Sequence, residues 1–170
     1  MADAVLWRIA RRAYALDKFG LGAREAGGRW NRVGTPVIYA GGTVGIAALE
    51  KFVHLAGLVP PDLVLVRVVL PDGTSSETPS VAELPPGWDA LYPGPASMAF
   101  GTQWAQEKRS LVLYVPSAIV PEETNGVINP AHAEFATVRM EIERAFHYDS
   151  RMFARRRARR GELRGQSSRR

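Results

Sequence analysis

Apolar and polar positions along the chain fall into short blocks with different periods. Val5–Ile9, carrying Trp7 and Arg8, predicts a strand. Glycines at 20, 22, 27 and 28 mark a long loop around the basic-aromatic cluster Arg29-Trp30-Asn31-Arg32. Pro36 introduces a short strand, Val37–Ala40, and the turn Gly41-Gly42-Thr43 follows, with Thr43 placed to cap a helix. Ile46, Leu49, Phe52, Val53 and Ala56 then recur at helical spacing, with Gly57 as a stop. Leu63–Leu70 is rich in β-branched residues and broken only by Arg67, the pattern of a largely buried strand. Residues 71–95 hold six of the twelve prolines and predict a loop with at most a helical turn near Val81–Leu84. Ala96–Arg109 is a candidate helix bearing Trp104, and Leu111–Val115 a strand ending at Pro116-Ser117. Asn125 and Asn129-Pro130 punctuate the next loop, and Thr137–Ile142 alternates as a last strand. Short strands with two or three helices and no internal repeat predict an α+β fold on a mixed or antiparallel sheet.

At 170 residues the chain is long enough for one domain. No apolar run approaches the roughly 18–20 residues that span a bilayer, and Asp3, Arg8, Arg11 and Arg12 interrupt any secretory signal. The expectation is a soluble, cytoplasmic protein without a membrane partner. The absence of cysteine excludes disulfides, thiolate metal sites and a cysteine nucleophile. Charge is unevenly spread: residues 151–170 carry nine of the 22 basic side chains and one of the 17 acidic ones. The first 150 residues are therefore slightly acidic (13 basic, 16 acidic), and the net charge of +5 belongs to the end of the chain. The expected division is a domain over 1–153 and an Arg-rich, disordered or partner-ordered tail over 154–170. A basic pI normally suggests a nucleic-acid surface, but here that inference reaches only the tail.

Common motifs fail. Gly20-Leu21-Gly22 lacks the third glycine of a dinucleotide fingerprint because Glu25 stands there. His54, His132 and His147 are widely spaced, so no metal is expected. No Gly-x-Ser-x-Gly elbow occurs. Arg29, Tyr39 and Glu50 remain. A guanidinium, an aromatic ring and a carboxylate suit a ligand with anionic, planar and hydroxyl-bearing parts, and NAD has all three. Each residue has a plainer alternative: a loop salt bridge for Arg29, core packing for Tyr39, an i,i+4 pair with His54 for Glu50. Ser117 equally suits a turn, and Asn125 and Asn129 suit loops.

In chain order, Leu6-Trp7-Arg8-Ile9, Gly27-Gly28-Arg29-Trp30-Asn31, Val37-Ile38-Tyr39-Ala40, Ala47-Ala48-Leu49-Glu50, Leu84-Pro85 with Trp88, Gly101-Thr102-Gln103-Trp104, Val115-Pro116-Ser117-Ala118, Asn125–His132 and Phe146–Arg151 resemble the RES-domain family, toxins of RES–Xre toxin–antitoxin systems. The resemblance implies an ADP-ribosyltransferase-like fold and an enzyme that consumes NAD. The implied reaction is hydrolysis or phosphorolysis of the nicotinamide–ribose bond, with mono-ADP-ribosylation of a host protein as the alternative. It assigns Arg29, Tyr39 and Glu50 the central roles, Arg8 a second pocket cation, and Ser117 with Asn125 or Asn129 the pocket lining. Pro130, which holds its neighbour extended, favours Asn129 slightly. The implied partner is an Xre-type helix-turn-helix antitoxin in a hetero-oligomer, through which DNA is mainly read. The tail lies beyond the family pattern.

Overall fold

The computed structural model describes residues 2–55 and 59–153. In chain order its elements are β1 (Ala4–Arg11), α1 (Leu21–Ala26), β2 (Ile38–Gly41), α2 (Val44–His54), β3 (Leu63–Leu70), β4 (Ser76–Glu77), α3 (Pro95–Glu107), β5 (Val112–Pro116), β6 (Thr124–Ile128) and β7 (Arg139–Ala145), with 3-10 turns at 12–14, 81–83, 133–137 and 150–153. This is the expected α+β class. Ala56, Gly57 and the tail from 154 onward lie outside the described residues.

The strands form one sheet in the order β4-β5-β6-β2-β1-β3-β7, antiparallel except between β4 and β5. β3 is buried along its whole length but for the partly exposed Arg67. It pairs with β1 over eight positions, Ala4–Leu70 to Arg11–Leu63. β1 and β2, by contrast, meet in a single registered pair, Trp7 with Gly41. The sheet is thus two ribbons joined at a narrow seam, and α2 begins just beyond it.

Alternation along the strands sorts the core onto two faces. Leu6, Ala10, Ile38, Ala40, Val64, Val66, Val68, Val112, Ile128 and Met140 build one. On the other, Leu113, Val115 and Val127 pack with Trp30, Trp88 and Trp104, while Ile9, Leu63 and Leu65 pack with Val44 and Ala48 of α2. Burying each large apolar side chain contributes about 1.5–3 kcal/mol. Trp104 is fully enclosed, its indole N–H donating to Ser110 Oγ at 2.9 Å.

Three elements depart from the sequence expectation. α1 occupies the glycine-marked loop, bracketed by Gly20 and Gly27 with φ of 62° and 72°. It buries no residue, so it has no apolar period. β6 replaces the loop expected around Asn125; the glycine at 126 leaves room for the end of the Leu6 side chain, which a Cβ there would force to shift. β4 is a two-residue strand within the proline-rich stretch. Val53, expected on the apolar face of α2, is 52% exposed; the buried positions are Ile46 and Ala47. No helix among the described residues is long and apolar enough to cross a membrane.

Candidate active site

Thr43 starts α2 as its sequence suggests, its hydroxyl accepting from the Ile46 N–H at 3.1 Å. The helix sits directly on the end of β2, where a Cβ on Gly41 would stand 2.7 Å from the Ala47 nitrogen. That close approach carries Glu50, nearly two turns into the helix, over the neighbouring strands. Glu50 Oε1 accepts two hydrogen bonds, from Asn125 Nδ2 of β6 at 2.6 Å and from the Ser117 hydroxyl at 2.8 Å. Asn125 is registered against Gly41 on one side and Val115 of β5 on the other. Ser117, just past β5, is fully buried. Its oxygen also accepts from the N–H groups of Ile119 and Val120 at 3.1 and 3.2 Å, so the turn role and the contact with Glu50 coexist. His54 meets the Glu50 backbone carbonyl at 2.7 Å, and the carboxylate is held by Ser117 and Asn125 instead. Among the described residues no hydrogen bond engages Oε2.

Tyr39 is registered opposite Val127, two positions along β6 from Asn125 and on the same face, about 7 Å away at strand spacing. Its hydroxyl donates to Asn31 Oδ1 at 2.7 Å and accepts from the Trp30 N–H at 3.0 Å. Burial is the main cause of a phenol held well above its ordinary range, against opposing effects of the Trp30 N–H and the Arg29 charge. The hydroxyl is thus a fixed, neutral post, and the ring is its chemically available part. Asn31 is fully buried and donates to the carbonyls of Ala23 and Thr35 at 2.7 and 2.9 Å. Gly28 lies so close that a Cβ there would stand 2.7 Å from the Tyr39 oxygen.

Arg29 makes no loop salt bridge among the described residues. Its Nη1 donates to the carbonyls of Trp88 and Ala90 at 2.6 and 2.8 Å. Nε and Nη2 have no hydrogen-bond partner among the described residues, an arrangement suited to gripping an anion with one edge while the other is anchored. Trp30 reinforces the anchor by stacking on Trp88, with centroids 6.5 Å apart.

Two candidates stand apart. Asn129 is buried, its amide donating to the Ala105 carbonyl at 2.8 Å and its oxygen accepting from the Ala131 N–H at 3.0 Å. It joins α3 to the sheet and is not brought to Glu50; of the two asparagines, strand register brings Asn125 there. Arg8 is registered with Val66 in the Leu6–Ala10 row of β1 and shares no hydrogen bond with Arg29, Tyr39 or Glu50. Its Nη1 is enclosed without a partner, and burial lowers its affinity for the proton, opposed by Asp17. Its charge is also felt by Lys51, the residue after Glu50. Sequence reasoning missed Asn31, whose only signal was its place beside Arg29-Trp30.

The chain is similar to known proteins in sequence and, for one solved structure, in fold. A protein of Sphingobium sp. (strain YBL2) named "Prs ADP-ribosylating toxin" is 45% identical over 152 residues, covering 86% of this chain and 94% of that protein. A "Toxin Res" of Pseudomonas putida is 38% identical over 156 residues, covering 88% and 99%. A chain in the crystal structure of the M. tuberculosis MbcT-MbcA toxin-antitoxin complex superposes with a TM-score of 0.63 at 17% identity, over 82% of this chain and 81% of that one. The RES domain pattern itself matches residues 5–149, and the chain belongs to the RES-domain family.

Proposed function

We propose that this chain is the toxin of a toxin–antitoxin pair and that it consumes NAD by breaking the nicotinamide–ribose bond. The observation that carries the reading is the Glu50 carboxylate, one oxygen fixed by Ser117 and Asn125 and the other without a hydrogen bond among the described residues. Arg29, anchored through Nη1, takes the diphosphate on its remaining edge; the Tyr39 ring stacks on the nicotinamide; Glu50 meets the ribose. Nicotinamide leaves with the electron pair of the C–N bond, and positive charge develops on the ribose ring as in glycoside cleavage. A fixed carboxylate beside that charge lowers the barrier without reorganising. The acceptor's oxygen then supplies a pair to the ribose carbon and loses its proton. Water gives ADP-ribose, phosphate gives its phosphorylated form, and a protein side chain gives an ADP-ribosylated protein.

The primary reading is depletion of NAD by hydrolysis or phosphorolysis. The name of the 45% identical relative favours the second reading, transfer to one host protein. The partner is an Xre-type antitoxin with a helix-turn-helix domain, which neutralises the toxin in the cytoplasm and reads DNA. Purified antitoxin-free protein is expected to release nicotinamide from NAD. Glu50→Gln keeps the shape and both donors and lowers that rate about 100- to 1,000-fold at unchanged unfolding midpoint. Full activity in Glu50→Gln at equal protein level would overturn the assignment. Labelled NAD separates the readings: label stays in small molecules for depletion and moves to a protein band for transfer.

A further inference from the structure

α2 is supported unevenly. Its buried residues, Ile46 and Ala47, lie in the first turn, and from Ala48 onward every described residue of the helix is at least partly exposed. Glu50 stands in that second half. Ser117 and Asn125 grip its carboxylate, but a side-chain grip is only as firm as the backbone beneath it. The segment after β7 supplies what the sheet does not. Phe146 begins it, its N–H donating to the Leu63 carbonyl at 2.9 Å. The Tyr148 hydroxyl donates to the Ala48 carbonyl at 2.6 Å, two residues before Glu50. The Tyr148 ring lies 5.7 Å from that of Phe52, two residues after Glu50, and Phe153 closes on Phe52 at 5.1 Å and on Tyr148 at 6.0 Å. Phe146 meets Tyr148 edge-on at 5.0 Å. Segment 146–153 therefore touches α2 on both sides of Glu50.

We propose that Tyr148 is a positioning residue for Glu50, clamping the second half of α2 through the Ala48 carbonyl and the Phe52 ring; the inference rests on Glu50 being the working carboxylate. The Ala48 carbonyl already accepts the helical bond from the Phe52 N–H, and the phenol occupies its second lone pair. The helix turn bearing Glu50 is thus fixed from outside as well as along its axis. In this way the far end of the domain sets how accurately the carboxylate meets the ribose.

Tyr148→Phe tests this because it removes one oxygen and keeps all four rings. Nicotinamide release per folded molecule is expected to fall about fivefold in kcat with KM for NAD unchanged, since a loosened carboxylate is misaligned more often. Amide hydrogen exchange at Glu50–Phe52, measured without NAD, is expected to accelerate by a similar factor while exchange in β3 stays the same. Wild-type kcat, a rise in KM alone, or wild-type exchange in α2 would each overturn the proposal. If the wild-type chain releases no nicotinamide, the reading of Glu50 fails, and exchange in α2 still decides whether Tyr148 clamps the helix.

Discussion

Asn125 tests how the site is charged. Its amide nitrogen lies 2.6 Å from Glu50 Oε1, so Asn125→Asp would set a second carboxylate where a donor stood. Two carboxylates at that distance cannot both ionise easily, and one holds its proton to higher pH. The acid limb of the pH–rate profile is therefore expected to move upward in Asn125→Asp, with lower activity at neutral pH. An unmoved limb would mean that Glu50 does not govern the rate. The variant also isolates what sequence alone left undecided. Asn125 and Asn129 are both asparagines in a stretch that looks like loop, and only strand pairing shows that one faces the helix carrying Glu50 while the other is bound to Ala105. Arg29, Tyr39 and Glu50 were legible as residue types with suitable chemistry, and Ser117, which by itself suits a turn, only through the family resemblance. What fixes them was less so, because backbone carbonyls such as those of Trp88 and Ala90 carry no sequence signal.

Elements with a strong period were legible and those set by tertiary contact were not. β3 spans the same eight residues as its β-branched run, and α3 starts at Pro95 and carries Trp104 inward. β6 was hidden because Asn and Gly suit strands poorly, and α1 because it buries nothing. Two glycines make this contrast measurable. In α3, a Cβ on Gly101 would overlap the Trp30 carbonyl oxygen, backbone against backbone, with no flexible atom to yield. Gly101→Ala is expected to destabilise the fold by about 3 kcal/mol and to reduce NAD turnover by displacing the Arg29–Trp30 segment. Gly22, inside α1, has open space where a methyl group would stand, with nothing within 4 Å, and Gly22→Ala is expected to stabilise by about 0.5–1 kcal/mol. Denaturant midpoints of the two variants should move in opposite directions. A shared direction would contradict the close approach of α3 to Trp30.

Across the whole molecule, stability is tied to phenols that must stay protonated. Tyr39 in β2, Tyr114 in β5 and Tyr148 after β7 lie on separate parts of the fold, and burial raises the pKa of each, that of Tyr148 to about 12. Unfolded tyrosine ionises near pH 10. Below that value both states keep their protons and the contribution of these groups is fully present. As pH rises through about 10 toward 12, the unfolded chain loses protons that the folded chain retains, so stability falls with pH. The midpoint in denaturant is expected to drop between pH 9 and pH 11, and the phenolate absorbance of folded protein to lag behind that of the unfolded chain. Tyr148→Phe removes one of these linkages and should flatten the decline. Equal slopes for Tyr148→Phe and the parent would mean that the fold does not shield the Tyr148 phenol from water. The same titration therefore reads, without any substrate, whether the Tyr148 phenol is packed away from water in solution, as its place beside Phe52 and the Ala48 carbonyl requires.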